Sequence, residues 1–289
     1  MILSPLNFKH FAMVPVASLL LSTLASAATC DRACLLDQAK RFNAAMLDRT
    51  PDKVQLAPGA VIRENTKAIA LTDSRWSNVK EILSEGVFTD PVKSNVIEHV
   101  TAKTAEGKPV YIGTRLKVVA GKITEVEINF DDSVRVNVKN LVPYDPLFNT
   151  IVPPEQRATR EQLERIITSY FQGLTDQKPI ESDYDPRCDR YHSGNRVTHN
   201  PKNGVEQSGG VGCYESNLGP KPWGPATEVR IGVVDPERGI VIGYAILYYG
   251  SSPLRMQISE PFKILDGRIR MVDNIGLMQD GITTSGFTQ

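Results

Sequence analysis

The sequence predicts an α+β protein made of two tandem copies of one unit, each a helix followed by an antiparallel sheet. Three observations carry that prediction. Residues 116–129 (LKVVAGKITEVEIN) alternate apolar and polar side chains on either side of Ala120-Gly121, and residues 262–275 (FKILDGRIRMVDNI) repeat the pattern at a constant offset of 146. Lys117 matches Lys263, Val118 matches Ile264, Gly121 matches Gly267, Val126 matches Val272, and Glu127 is answered by Asp273. Both stretches read as β-hairpins closed by a tight glycine turn. Upstream, Leu35, Ala39, Phe42 and Met46 are matched by Leu163, Ile167, Tyr170 and Leu174 at a different constant offset of 128, the apolar stripe of one amphipathic helix written twice. The two offsets differ by 18 residues, which places an insertion inside the second copy. A helix that opens each half and a hairpin that closes it make the chain a domain duplication.

The elements follow in order. Lys9 and His10 precede an apolar run over residues 11–24 and then Ala25-Ser26-Ala27, a small-x-small cleavage pattern, so residues 1–27 read as a secretory signal peptide too short to serve as a membrane span. The first unit is expected over residues 28–142. Asp31 is placed to cap its helix, which stops before Pro51. Strands are predicted at residues 61–65, 96–101, 110–119 and 123–130, with a looser segment around Trp76. Four prolines between residues 143 and 154 suit a stiff interdomain linker crossing exposed surface. The second unit is expected over residues 155–289. Thr159 and Gln162 form a capping-box pattern ahead of its helix, and strand-like runs lie at 228–234 and 240–249. Between them, residues 200–225 hold six glycines and four prolines, which marks the insertion.

The chain carries 33 basic and 33 acidic residues, and loss of residues 1–27 removes only Lys9. That balance gives no electrostatic reason to expect nucleic acid, nor a membrane surface once the signal is cleaved. In an oxidising compartment the four cysteines are expected as disulfides, with Cys30–Cys34 and Cys188–Cys213 the simplest of three pairings because each pair is close in sequence. A zinc site is the competing reading, but neither pair has the close CxxC spacing such sites use. No N-glycosylation sequon occurs, and no G-x-S-x-G, Walker or G-x-G-x-x-G motif is present, which removes the commonest hydrolase, NTPase and dinucleotide-binding readings.

A helix followed by antiparallel strands that end in a hairpin resembles the nuclear transport factor 2-like or SnoaL-like cone. More closely, the opening Cys30-Asp31-Arg32-Ala33-Cys34-Leu35, Glu64-Asn65, Arg115-Leu116-Lys117-Val118 and Ile123-Thr124-Glu125-Val126-Glu127 are similar to a family of secreted, largely fungal proteins built of one or two such units. The resemblance implies a curved sheet wrapped round the helix, a pocket at its open end, and, where catalysis occurs, chemistry without a cofactor. Family members tend to carry Glu-Asn-Gly in both units, whereas this chain has Glu64-Asn65-Thr66 in the first and His192-Ser193-Gly194 in the second.

Cone-fold enzymes, ketosteroid isomerase among them, place an acid or a histidine and a hydrogen-bond donor in an apolar pocket, where desolvation tunes the pKa. In the second unit the candidates are Asp189, Arg190 and His192 on one strand, Tyr244 on the apolar strand and Asp273 on the closing hairpin. Arg190 and His192 are two apart and so share a strand face, which lets a guanidinium orient a substrate oxygen while the imidazole carries a proton. The competing reading makes that face solvent-exposed, or pairs Arg190 with an acid on a neighbouring strand. In the first unit Glu64, Asn65, His99, Arg115 and Glu127 are the polar residues expected to line a cone and bind a ligand, unless Arg115 and Glu127 simply pair across their hairpin. Trp223 offers an apolar surface to a ligand beneath a glycine-rich lid, Gly209-Gly210 and Gly212, pinned by Cys213. His192, His199 and Asp189 fit no recognised metal-ligand spacing, so no metal is expected. Two function classes stay open: a cofactor-free lyase, isomerase or dehydratase acting on a small metabolite, and a non-catalytic module binding a ligand or a protein. The residues say nothing of oligomeric state.

Overall fold

The computed structural model describes Met1 and residues 30–200, 210–218 and 222–287 of the 289-residue chain. The expected signal peptide and parts of the insertion, including Gly209, lie outside the described residues. Helix α1 (Arg32–Leu47) starts where the Asp31 carboxylate accepts the Cys34 N–H at 2.9 Å, and it buries Leu35, Ala39, Phe42 and Met46. The strands of the first unit are β1 (Leu56–Glu64), β2 (Lys67–Ala68), β3 (Val79–Asp90), β4 (Asn95–Thr104), β5 (Pro109–Val119) and β6 (Lys122–Asp131). In the second unit α2 (Arg160–Asp176) begins at a complete Thr159–Gln162 capping box. It is followed by β7 (Tyr184–His192), β8 (Asn195–Arg196), the short α3 (Cys213–Ser216), β9 (Trp223–Asp235), β10 (Ile240–Tyr249), β11 (Leu254–Leu265) and β12 (Arg268–Asp280).

The two halves share one topology. Their sheets run β2-β1-β6-β5-β4-β3 and β8-β7-β12-β11-β10-β9. The repeat registers seen in the sequence reappear in the elements: β7 lies 128 residues after β1 at both ends, and β12 starts 146 after β6. All neighbouring strands are antiparallel except the opening strand of each unit, which returns to pair parallel with the last, β1 with β6 and β7 with β12. Both closing hairpins turn through two left-handed residues, Ala120 (φ 50°) and Gly121 (φ 74°), then Asp266 (φ 50°) and Gly267 (φ 70°). Such turns match the right-handed strand twist, which explains the glycine at the second position of each. β3 was not among the predicted strands, because its exposed Lys80, Glu81 and Glu85 break the apolar alternation.

Alternation along the strands gives each sheet two buried faces. One face packs its own helix: Val96, Val100 and Ala102 of β4 meet Leu35, Phe42 and Trp76, while Ile258 and Phe262 of β11 meet Ile167, Tyr170 and Phe171. The other faces meet back to back, with Phe88 and Ile97 against Val233, Ile240, Ile242, Tyr244 and Met271. The segment 143–154 crosses the surface with its four prolines exposed, but it is anchored at three buried side chains. Tyr144 and Phe148 are wedged into this seam, Val152 is buried, and Lys263 Nζ donates to Thr150 O at 2.8 Å. A stiff proline-rich chain also suits a segment fixed by its aromatic side chains, and only packing distinguishes the two. Both disulfides form as expected, Cys30–Cys34 and Cys188–Cys213, with Cα separations of 5.2 and 5.5 Å. They suit an oxidising environment, and among the described residues no helix is long and apolar enough to cross a membrane.

Candidate functional site

The helix-facing side of the second sheet holds a buried polar cluster. Glu260 on β11 accepts from Asn274 Nδ2 at 2.8 Å, with Tyr170 of α2 and Arg190 of β7 beside it. Arg190 Nη1 donates to Asn217 Oδ1 at 2.7 Å, and Asn217 Nδ2 donates to the Tyr184 hydroxyl at 3.2 Å. Burial pushes the Glu260 carboxyl up to about 7, although Asn274 and Arg190 pull the other way. The Tyr184 hydroxyl is raised to about 12, again by burial. The second oxygen of Glu260 and the Asn274 Oδ1 are both buried without a hydrogen-bond partner among the described residues.

Asn274 also forms part of the wall of a cavity of about 750 Å³. His192, Asn195, Met256 and Gly276 of the second unit line it, and residues 134–140, the tail of the first unit, close its other side. That tail is tied down by Asn137 N–H to Ser193 O at 2.9 Å, Arg135 Nη2 to Gly276 O at 2.9 Å and Asn140 Nδ2 to Gly194 O at 2.8 Å. Desolvation, with the Arg190 and Arg135 charges adding to it, holds the His192 imidazole well below its ordinary pKa. At neutral pH His192 is therefore an uncharged donor and acceptor on the cavity wall.

Arg190 and His192 share the helix-facing side of β7, as their spacing predicts. The rest of the expected constellation does not join them. Asp189 lies three residues from His192 on the alternate face, where Arg196 at 2.7 Å and His199 at 2.9 Å hold it. His192 is thus separated from the His199–Asp189 pair, and among the described residues no group of three metal-ligating side chains forms. Tyr244 and Asp273 project from the opposite side of the sheet into the seam. There Tyr244 stacks under the Arg230 guanidinium at 4.9 Å, and Asp273 accepts from the Tyr111 hydroxyl of the first unit. Burial raises the Asp273 carboxyl to about 7.

The first-unit candidates are engaged by other residues of the chain. Glu64 accepts from Ser74 Oγ and Arg75 Nε, both at 2.6 Å, and Asn65, in the left-handed region (φ 48°), brackets Phe130 with hydrogen bonds of 2.8 and 3.0 Å. His99, Arg115 and Glu127 point into the seam rather than the cone. His99 meets Ser259 at 3.0 Å and Tyr111 at 3.2 Å, and burial lowers its pKa to about 3. Arg115 pairs with Glu127 at 2.9 Å, which is the cross-hairpin reading, and Glu127 also binds Arg230 at 2.6 Å. Trp223 stands at the outer strand beside Tyr249, away from the His192 cavity. The described part of the insertion is no mobile cover: Ser216 and Asn217 are buried, and Asn217 plugs the cone through Arg190 and Tyr184.

Sequence reasoning missed the two interior acids, Glu98 and Glu260. In the first unit Glu98 of β4 faces Thr114 of β5; in the second the equivalent pair is Gly243 and Glu260, so the carboxyl has moved one strand across. The helix follows the exchange. Asn43 donates to Glu98 at 3.0 Å, whereas Phe171, at the corresponding position of α2, covers Gly243 so closely that a Cβ there would meet its ring at 2.5 Å. The available signal was a lone acid inside an otherwise buried strand, as in NVIEHV and QISEPF.

Fold and topology define an α+β protein of two tandem units of one topology, each a helix with a six-stranded sheet. Residues 156–276, within the second unit, match the profile of a domain of unknown function, DUF8021. No curated protein matches the chain. Among solved structures, a Kribbella flavida protein provisionally described as a ketosteroid isomerase is 16% identical, covers 40% of this chain and 78% of its own, and has a TM-score of 0.31. A de novo designed protein with a curved β-sheet is 15% identical over 38% of this chain and 96% of its own, with a TM-score of 0.30. A provisionally assigned isomerase from Bacillus subtilis is 12% identical over 34% and 87%, with a TM-score of 0.28.

Proposed function

We propose that this is an exported protein, processed after Ala27, whose second unit takes a small, partly apolar molecule into the His192 cavity. The observation that carries the proposal is the cavity itself. It is about 750 Å³, large enough for a metabolite, and it combines Val136, Val138 and Met256 with the polar groups of His192, Asn195 and Asn274 and the cationic side chains of Arg135, Lys139 and Arg196. The proposed division is a first unit over residues 28–142 that braces the assembly and a second over 155–289 that binds, joined by 143–154. The CDRxCL opening and the two disulfides support placing it with the secreted tandem family.

A second reading, a cofactor-free isomerase, lyase or dehydratase, is favoured by one further feature. Glu260 accepts from Asn274 Nδ2 at 2.8 Å and so fixes that amide on the cavity wall that His192 shares. In that reading His192 touches the substrate and Glu260 is a positioning residue acting through Asn274.

Ligand-observed NMR with a library of small neutral and acidic fragments tests the binding reading. His192→Ala should abolish the hits while leaving the melting temperature within a few degrees, because a cavity-wall imidazole contributes little packing. Retention of all hits by that variant, or its unfolding, would remove His192 from the site.

A further inference from the structure

A second cavity, of about 300 Å³, lies on the seam between the two units and belongs to neither interior. Seven residues line it: Lys93, Asn95, Arg115 and Lys117 from the first unit, and Arg230, Ile231 and Gly232 from the second. Four of the seven are cations and none is an acid. We infer that this seam cavity is a binding site for a small dianionic oxyanion, such as a phosphate or sulfate group, clamped between the two units.

Charge bookkeeping supports that ligand class. The carboxylates that touch these cations are Glu127, shared by Arg115 at 2.9 Å and Arg230 at 2.6 Å, and Glu125, shared by Arg115 at 2.6 Å and Lys117 at 3.4 Å. Four cations against two carboxylates leave two positive charges, which a dianion matches. The site is built rather than incidental. Arg115 and Arg230 are both buried, and Phe287 covers their guanidinium faces at 4.8 and 5.8 Å, which excludes water from that side and strengthens electrostatic attraction. Arg230 Nε is buried without a hydrogen-bond partner among the described residues. Asn95 is fixed by its Nδ2 donating to Gly232 O at 2.7 Å. Lys93 Nζ uses one proton on Ile231 O at 2.8 Å, which leaves two for a ligand, and Lys117 is half-exposed at the rim. Guanidiniums fixed by carboxylates supply the field, and the two ammonium groups supply movable donors, an arrangement suited to several oxygens at once.

An anion held here contacts both units, so it stabilises the folded chain in proportion to its occupancy. The test is titration calorimetry with inorganic phosphate at pH 8 and with sulfate at fixed ionic strength, on the full chain and on Lys93→Gln/Lys117→Gln. Sub-millimolar binding by the parent, at least tenfold weaker in the double variant, is expected, with a melting temperature for the anion-free variant within a few degrees of the parent. Lys117→Gln alone, whose side chain packs against little, serves if the double variant does not fold. Binding of inorganic phosphate and not sulfate would narrow the ligand to phosphate compounds. No heat from either anion in the parent, or unchanged affinity in the lysine variants, would overturn the inference, and neither result bears on the His192 cavity.

Discussion

Glu98→Gln should make the protein less sensitive to rising pH, and the size of the change follows from the structure. Glu98 is buried on the helix-facing side of β4, with Asn43 Nδ2 donating to one oxygen at 3.0 Å. Its other oxygen and the Asn43 Oδ1 are both buried without a hydrogen-bond partner among the described residues. Burial, with Glu85 adding to it, raises the carboxyl from 4.5 to about 8. A neutral acid satisfies this site, since its O–H can donate to the Asn43 oxygen, and glutamine has the same shape and the same pair of groups. The sign follows from proton binding. Between pH 4.5 and about 8 the folded chain holds a proton that the unfolded chain has released, so the stabilisation is full below 4.5 and is lost as pH rises toward 8. The slope is at most about 1.4 kcal/mol per pH unit, or roughly 2–3 kcal/mol between pH 5.5 and 7.5. Glutamine has no such term. Glu260 and Asp273 titrate in both proteins and cancel in the comparison. Urea unfolding of parent and variant at the two pH values, followed by circular dichroism, should show the variant gaining roughly 2–3 kcal/mol on the parent over that interval. A gain under about 1 kcal/mol, or a change of opposite sign, would refute the assignment of Glu98 as a buried neutral acid.

Glu127→Gln removes the carboxylate that Arg115 and Arg230 share, leaving two buried guanidiniums without that counter-charge. A loss of about 3 kcal/mol in urea unfolding is expected, and a neutral result would mean that the ion network contributes nothing. Replacing both Cys188 and Cys213 by alanine opens a link spanning 25 residues and should cost about 3 kcal/mol, with faster hydrogen exchange around Asn217; unchanged exchange there would show that α3 holds without its tether. Limited proteolysis should spare residues 143–154, because Tyr144, Phe148 and Val152 are buried, and a first cut in that segment would contradict the packing described for the seam.

Local and periodic information was sufficient for the elements. Capping residues, the 3.6-residue stripe, the two-residue alternation and the glycine turns each act over a few neighbours, so α1, α2, both hairpins and the duplication could be read from the chain, as could the disulfides between cysteines close in sequence. Which face of a strand meets which partner is not a local property. Arg190 and His192 were correctly placed on one face by their spacing, yet Tyr244 and Asp273 were assigned to the same site because alternation tells two faces apart without saying which one encloses a pocket. Both faces of each sheet are buried here, one by its helix and one by the other unit, so polar residues such as His99, Arg115 and Glu127 lie in the seam without any change in the pattern that marks a cone-facing residue. Glu98 and Glu260 show the converse. Each is a single acid within an otherwise buried strand, and only the packing of Asn43 or Phe171 above it explains why the carboxyl sits on one strand in the first unit and on its neighbour in the second. The duplication was therefore determined by sequence alone, while the choice of pocket, the seam and its charges were decided by the way two copies of one sheet came to cover each other.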